Sequence, residues 1–262
     1  TDWTDVADLN YDAPGMREAM IADMDWWVKN TDIDGFRCDV AGFVPTDFWN
    51  TAITTLRATN GPLFMLAEWE DPALIEAGFN AVYGWEFHHI MNEIARGHKN
   101  VSAIAEYAAK GDTLWPSETM KMYFNTNHDE NSWNGTVEER MGDLGNAMYV
   151  LAAMMQRSFP LIYSGQEAGL NHRFPFFTKD TVGLDWSTPH GQADFFSQML
   201  ALKHKHQALF NGELGYDMSL DTDTATNSIM IVRGEEGEED QAAAIFEFGE
   251  VSSPFDVPEN MD

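Results

Sequence analysis

The sequence predicts an α/β fold built on a parallel sheet, and two observations carry that expectation. Short apolar runs alternate with segments of helical periodicity from the start of the chain to about Tyr163. Three of those runs end at or shortly before a carboxylate, namely Asp39, Glu68 and Asp129.

The first helix is expected from a cap at Asp12, with Pro14 in its first turn and Met16, Met20, Ile21, Met24, Trp27 and Val28 at helical spacing. Gly35-Phe36-Arg37-Cys38 reads as a short strand ending at Asp39. Thr46 follows Pro45 as an N-cap, and Trp49, Ala52, Ile53 and Leu56 form one apolar face that Asn60-Gly61-Pro62 interrupts. Leu63 to Ala67 is a continuous apolar run, the pattern of a strand buried on both faces, and it ends at Glu68. Phe79 to Tyr83 reads as a strand and Phe87 to Ala95 as a helix. Met120 to Phe124 is a strand leading into Asn125-Thr126-Asn127-His128-Asp129. Leu144, Ala147, Met148, Leu151, Ala152 and Met155 give a clean helical face, Pro160 to Tyr163 a fifth strand, and 194–209 a last helix. After Gly212 the character changes: Ile229 to Val232 and Ala242 to Phe248 read as strands flanking an acidic turn at 234–240. So few strands need support from a neighbouring core to be stable.

Composition bounds the function. With 44% hydrophobic and 13% aromatic residues, the 262-residue chain can bury a sizeable core and is not a disordered segment. Its formal charge of −28 repels phosphate backbones and anionic lipid, which disfavours nucleic-acid and membrane-surface partners and leaves a neutral ligand unaffected. The excess acid reads as a solvated surface suited to salty surroundings. One cysteine, Cys38, excludes an internal disulfide and any multi-cysteine metal site, and reads as a small buried strand residue. The longest apolar stretch, Ala147 to Met155, is too short to span a bilayer.

In a parallel α/β architecture the C-terminal ends of the strands converge on one face, where chemistry is done. Three carboxylates there, with Arg37 and His128 beside them, make a constellation that a single acid would not. Glycoside hydrolysis needs this inventory: one carboxylate to attack the anomeric carbon and one carboxylic acid to protonate the leaving oxygen. Arg37, two residues before Asp39, shares its side of an extended strand and is placed to hold Asp39 ionised through bidentate pairing. Leu66 and Ala67 before Glu68 suggest an apolar setting that raises a carboxyl pKa, as a general acid requires.

These residues resemble the α-amylase family, glycoside hydrolase family 13. Ile33-Asp34-Gly35-Phe36-Arg37-Cys38-Asp39 is similar to its nucleophile motif, Phe64-Met65-Leu66-Ala67-Glu68 to its general-acid strand, and Phe124 to Asp129 to its third-acid motif. Asp8-Leu9-Asn10 resembles the approach to its fourth barrel strand, and Tyr163-Ser164-Gly165-Gln166-Glu167 the stretch after its eighth. The resemblance implies the C-terminal portion of a (β/α)8 TIM barrel, about five β/α units over residues 1–211, followed by an incomplete C-terminal β domain at 212–262. It implies Asp39 as nucleophile, Glu68 as general acid/base and Asp129 as transition-state stabiliser. Arg37, His128, Asn127 and Trp69 would bind substrate. The implied activity is that of a retaining α-glycosidase on α-1,4-linked glucans, by double displacement. A transglycosylase or isomerase shares all three acids, and a non-catalytic sugar-binding relative generally loses at least one. Relatives acting on polymeric starch are commonly secreted or periplasmic.

The chain also departs from the family. The family's first motif, on the third strand, is missing, and Glu167 with Asn171 and His172 only mimics its spacing. Val40-Ala41-Gly42-Phe43 lacks the Lys-His pair of many starch-cleaving members, so no cofactor or metal is expected in this chain, and calcium belongs at most to the complete protein. With its opening Thr1 and too few strands for a full barrel, the sequence reads as a fragment, expected to be poorly folded or inactive alone. His88, His89, His204 and His206 read as surface histidines, Asp221-Thr222-Asp223 falls short of a calcium loop, and Trp85 reads as a core or rim aromatic.

Overall fold

In a computed structural model, which describes residues 3–4, 6–181, 191–234 and 240–256, the chain forms two compact units, Thr1–Tyr83 and Gly84–Asp262. The first contains α1 (Pro14–Thr31), β1 (Gly35–Cys38), α2 (Thr46–Asn60), β2 (Phe64–Ala67), α3 (Pro72–Glu76) and β3 (Ala81–Tyr83). The strands are parallel, with Gly35 opposite Phe64, Cys38 opposite Ala67, and Leu66 opposite Ala81. A side chain at Gly35 would meet the Phe64 carbonyl oxygen, so this register requires glycine there. α2 buries Phe48, Trp49, Ala52, Ile53 and Leu56, and Trp49 meets Phe79 edge to face at 5.2 Å.

Several local readings change. Asp12 does not cap α1; its own N–H donates to Asn10 Oδ1 at 3.0 Å, and Ala13 occupies the cap position ahead of Pro14 at the helix start. Only Met24 of the apolar stripe is buried, because α1 meets α2 partly through polar pairs, Arg17 with Asp47 at 2.7 Å and Asn60 with Asp25 at 2.9 Å. Pro45, not Thr46, is the cap residue of α2.

The second unit contains α4 (Trp85–Ala95), α5 (Ser102–Leu114), β4 (Met120–Tyr123), a π-helical turn (Glu130–Asn134), α6 (Val137–Met141), α7 (Gly145–Met154), β5 (Ser158–Pro160) and α8 (Gly191–Lys205). β6 (Met218–Asp223), β7 (Ser228–Arg233) and β8 (Ala242–Glu247) follow as an antiparallel sheet. β5 pairs parallel with β4, Lys121 opposite Ser158 and Tyr123 opposite Pro160. It therefore ends where the sequence reading had it begin. Proline has no N–H to give, and the ladder is completed on either side of it, by Lys121 N–H to Arg157 O and Leu161 N–H to Tyr123 O, each at 2.8 Å. The acidic turn at 235–239 lies outside the described residues.

Phe87, Met91, Ile104, Met148 and Leu151 from the helices share one core with Ile229, Ile231 and Phe246 of the antiparallel sheet. That shared core supplies the support a three-stranded sheet lacks by itself. Arg233 fastens the two layers. Fully buried, it donates from Nη1 to Met154 O and Met155 O at the end of α7, and from Nε and Nη2 to Tyr216 O. Burial pushes its guanidinium down to about 10. Arg233→Ala would orphan these carbonyls, and a loss of about 3 kcal/mol or more is expected in chemical denaturation, with unchanged stability as the contrary result.

Candidate active site

β1 and β2 end side by side, and this brings Arg37, Asp39 and Glu68 together in the first unit. Cys38 pairs with Ala67, and Glu68 N–H continues the ladder by donating to Cys38 O at 2.9 Å. Arg37 spreads its guanidinium over three partners: Nη1 to Asp39 Oδ1, Nη2 to Glu68 Oε2 at 3.0 Å, and Nε to the Tyr83 hydroxyl at 3.1 Å. The expected bidentate pairing with Asp39 alone is replaced by a bridge between the two carboxylates. Burial opposes the charge on Arg37, yet its contacts with Tyr83, Glu68 and Asp39 outweigh burial and hold the guanidinium above its ordinary range. Glu68 is 12% exposed, whereas Asp39, at 73%, opens to solvent.

The setting of Glu68 also differs from the apolar one the sequence suggested. Leu66 and Ala67 are buried, but the carboxylate itself faces Arg37 and the Val40 N–H, which donates to Oε2 at 2.8 Å. That N–H is aimed by a left-handed turn at Val40 (φ 44°, ψ 43°), an unfavourable conformation for a β-branched residue and a form of strain concentrated at functional sites. Cys38, between Arg37 and Asp39, is buried, and burial pushes its thiol up to about 12.

Trp69 is half-buried against the same turn. Its ring lies 5.0 Å from that of Phe43, and a side chain on Gly42 would collide with it. Glycine at 42 is therefore what lets the indole lie on the Ala41–Phe43 turn.

The second unit carries the other predicted residues at the end of β4. His128 Nε2 lies 3.5 Å from Asp129 Oδ2, with 46% and 29% of the two side chains exposed. Burial raises the Tyr163 phenol, and the Asp129 charge adds to the effect. Asn127 is buried; its Oδ1 accepts the Glu130 N–H at 2.8 Å and shapes the loop. Gln166 ties the segment following β5 to this loop, donating to Asn125 Oδ1 at 2.6 Å and accepting the Tyr163 N–H at 3.0 Å. Asn171 and His172 are occupied with Glu138 and Asp180. Among the described residues no three His, Cys, Asp or Glu side chains gather as a metal ion would require.

Beneath the loop lies a polar network that sequence reasoning missed. His88 is buried, unlike the surface histidine expected: Nδ1 meets Phe124 O at 3.0 Å and Nε2 meets Glu130 Oε2 at 2.9 Å. Arg140 donates to Asn92 Oδ1 at 2.8 Å, Asn125 O at 2.7 Å and Gly135 O at 2.9 Å. Burial opposes the charge on Glu130, but His88 and Arg140 outweigh it and hold the carboxyl below its ordinary range. Burial pushes the His88 imidazole down and Arg140 down to about 10. Tyr83, Val40 and this network leave no mark in the sequence, because each acts through a contact across elements.

No family model matches the chain. A cyclomaltodextrinase of a Bacillus species is 24% identical over 218 residues, 78% of this chain and 38% of that protein. A maltogenic α-amylase of Bacillus acidopullulyticus is 28% identical over 163 residues, 60% of this chain and 28% of that protein. The crystal structure of an α-amylase from Lactobacillus plantarum matches with a TM-score of 0.75 and 26% identity, covering 90% of this chain and 57% of that one. The chain thus spans well under half the length of these two curated relatives. The fold is that of part of an α-amylase-type (β/α)8 barrel followed by an antiparallel sheet. The chain is thus similar, over part of their length, to proteins of the α-amylase family, glycoside hydrolase family 13.

Arg140→Met removes every donor of the buried hub while keeping an extended side chain. A loss of about 3–5 kcal/mol is expected in equilibrium denaturation. An unchanged midpoint would show that the loop after β4 does not depend on this network.

Proposed function

We propose that this chain carries the catalytic residues of a retaining α-glycosidase acting on α-1,4-linked glucans. The observation that supports this most directly is the Arg37 guanidinium shared by Asp39 and Glu68. One guanidinium holds the two carboxylates within reach of one substrate, as double displacement requires of its nucleophile and its acid/base. The cyclomaltodextrinase and maltogenic α-amylase names of the relatives support an α-glucan substrate.

In this reading Asp39, the more exposed carboxylate, attacks the anomeric carbon. Glu68, the more enclosed, gives its proton to the departing glycosidic oxygen. The product is a glycosyl ester on Asp39. Glu68, now a carboxylate, then takes a proton from water, whose oxygen displaces Asp39 and restores both residues with net retention. Arg37 orients both acids. Asp129 stabilises the positive charge that develops on the sugar ring, His128 and Asn127 bind hydroxyls, and Trp69 offers a ring face to the sugar. Residues 1–211 form the catalytic part and 212–262 an appended β domain.

The test is release of new reducing ends from maltooligosaccharides by the complete gene product and its Glu68→Gln and Asp39→Asn variants. Each substitution is expected to lower kcat by about 10²–10⁴-fold or more. Parent-like turnover in either variant would overturn the assignment. Longer glucans in place of new reducing ends would make the enzyme a transglycosylase using the same acids.

A further inference from the structure

A group of exposed aromatic rings adjoins Asp129. Trp133, Phe176 and Phe177 are 58%, 41% and 69% exposed. Trp133 lies 5.1 Å from Phe176, and Phe176 lies 4.9 Å from Phe177. The cluster continues to the candidate site through His128, whose ring stacks on Phe176 at 6.1 Å and 21° while its Nε2 faces Asp129.

Two chain segments build this surface, and both are fixed. Trp133 sits on the π-helical turn that begins at Glu130, directly after Asp129; such turns recur at functional sites. The neighbouring stretch is clamped to that turn by buried Asn131, which accepts the Phe174 N–H at 2.8 Å and donates to His172 O at 3.0 Å. Arg173 adds a link to Glu139 at 2.7 Å. Exposed rings held rigidly in contact cost solvation without helping a core, so a binding role accounts for them better than packing does. Ring faces suit the C–H face of a pyranose, and a chain of charge −28 selects against anionic ligands.

We propose that Trp133, Phe176 and Phe177 form an aromatic platform that stacks a pyranose of the α-glucan chain beside His128 and Asp129. The platform rests on the glycosidase reading above and goes beyond it by naming the residues that set chain-length preference. Trp133 and Phe177 carry most of the stacking face, and Phe176 joins them to His128.

The experiment compares the complete gene product with its Trp133→Ala and Phe177→Ala variants on maltotriose and maltoheptaose, alongside thermal melts. The expected result is a KM for maltoheptaose raised at least fivefold, with kcat within twofold, a smaller change on maltotriose and an unchanged melting temperature. An unchanged KM on both sugars overturns the platform. So does a uniform loss of kcat, or a lowered melting temperature with parent-like KM, since these mark a structural role. If the parent cleaves neither sugar, the glycosidase reading fails and calorimetric titration of maltoheptaose judges the platform separately. Tighter binding by the parent than by Trp133→Ala sustains the platform, and equal binding overturns it.

Discussion

The candidate chemistry depends first on one guanidinium. Arg37 reaches Asp39, Glu68 and Tyr83 at once, and only a planar fork with several donors can satisfy three partners in different directions. Each partner is positioned by the parallel sheet of the first unit, which aligns Cys38 with Ala67 and so sets the residues that follow them side by side. The strained backbone at Val40 fits the same scheme. It turns the chain immediately after Asp39 and delivers an N–H to Glu68, so the local cost of a left-handed β-branched residue is offset by a second donor on the enclosed carboxylate.

The second unit applies a different device to the same end. The loop carrying Asp129 rests on buried polar groups rather than apolar packing. Glu130, His88, Arg140, Asn92 and Asn125 satisfy one another beneath it, while Gln166 and Asn131 tie it to later segments. A buried network of this kind is costly when incomplete, which favours one loop geometry over its alternatives. That rigidity extends outward to Trp133 and Phe176 and gives an exposed aromatic surface a defined shape.

How much of this the sequence discloses depends on how local the cause is. Gly35–Cys38 and the run ending at Ala67 are legible because short apolar segments ending in a carboxylate have few other readings. α5 escapes notice because it buries only Ile104 and Tyr107 and so has little apolar periodicity, and β6 because four of its six residues are polar. β5 is misplaced toward its hydrophobic end because pairing with β4, not composition, sets its register. The acids and Arg37 are visible as residue types at strand ends, but the division of Arg37 between two carboxylates is a matter of geometry. His88 is read as a surface residue because its partners Glu130 and Phe124 are remote in sequence.

In the proposed mechanism one forked cation organises both carboxylates. The most direct test is the turnover of maltooligosaccharides by the complete gene product with Arg37→Lys, a change that keeps the charge and removes the fork. A fall in kcat of about 10²-fold or more is expected with the fold intact, since misplacing catalytic groups by about 1 Å costs that much. Parent-like kcat in a folded Arg37→Lys protein would contradict it.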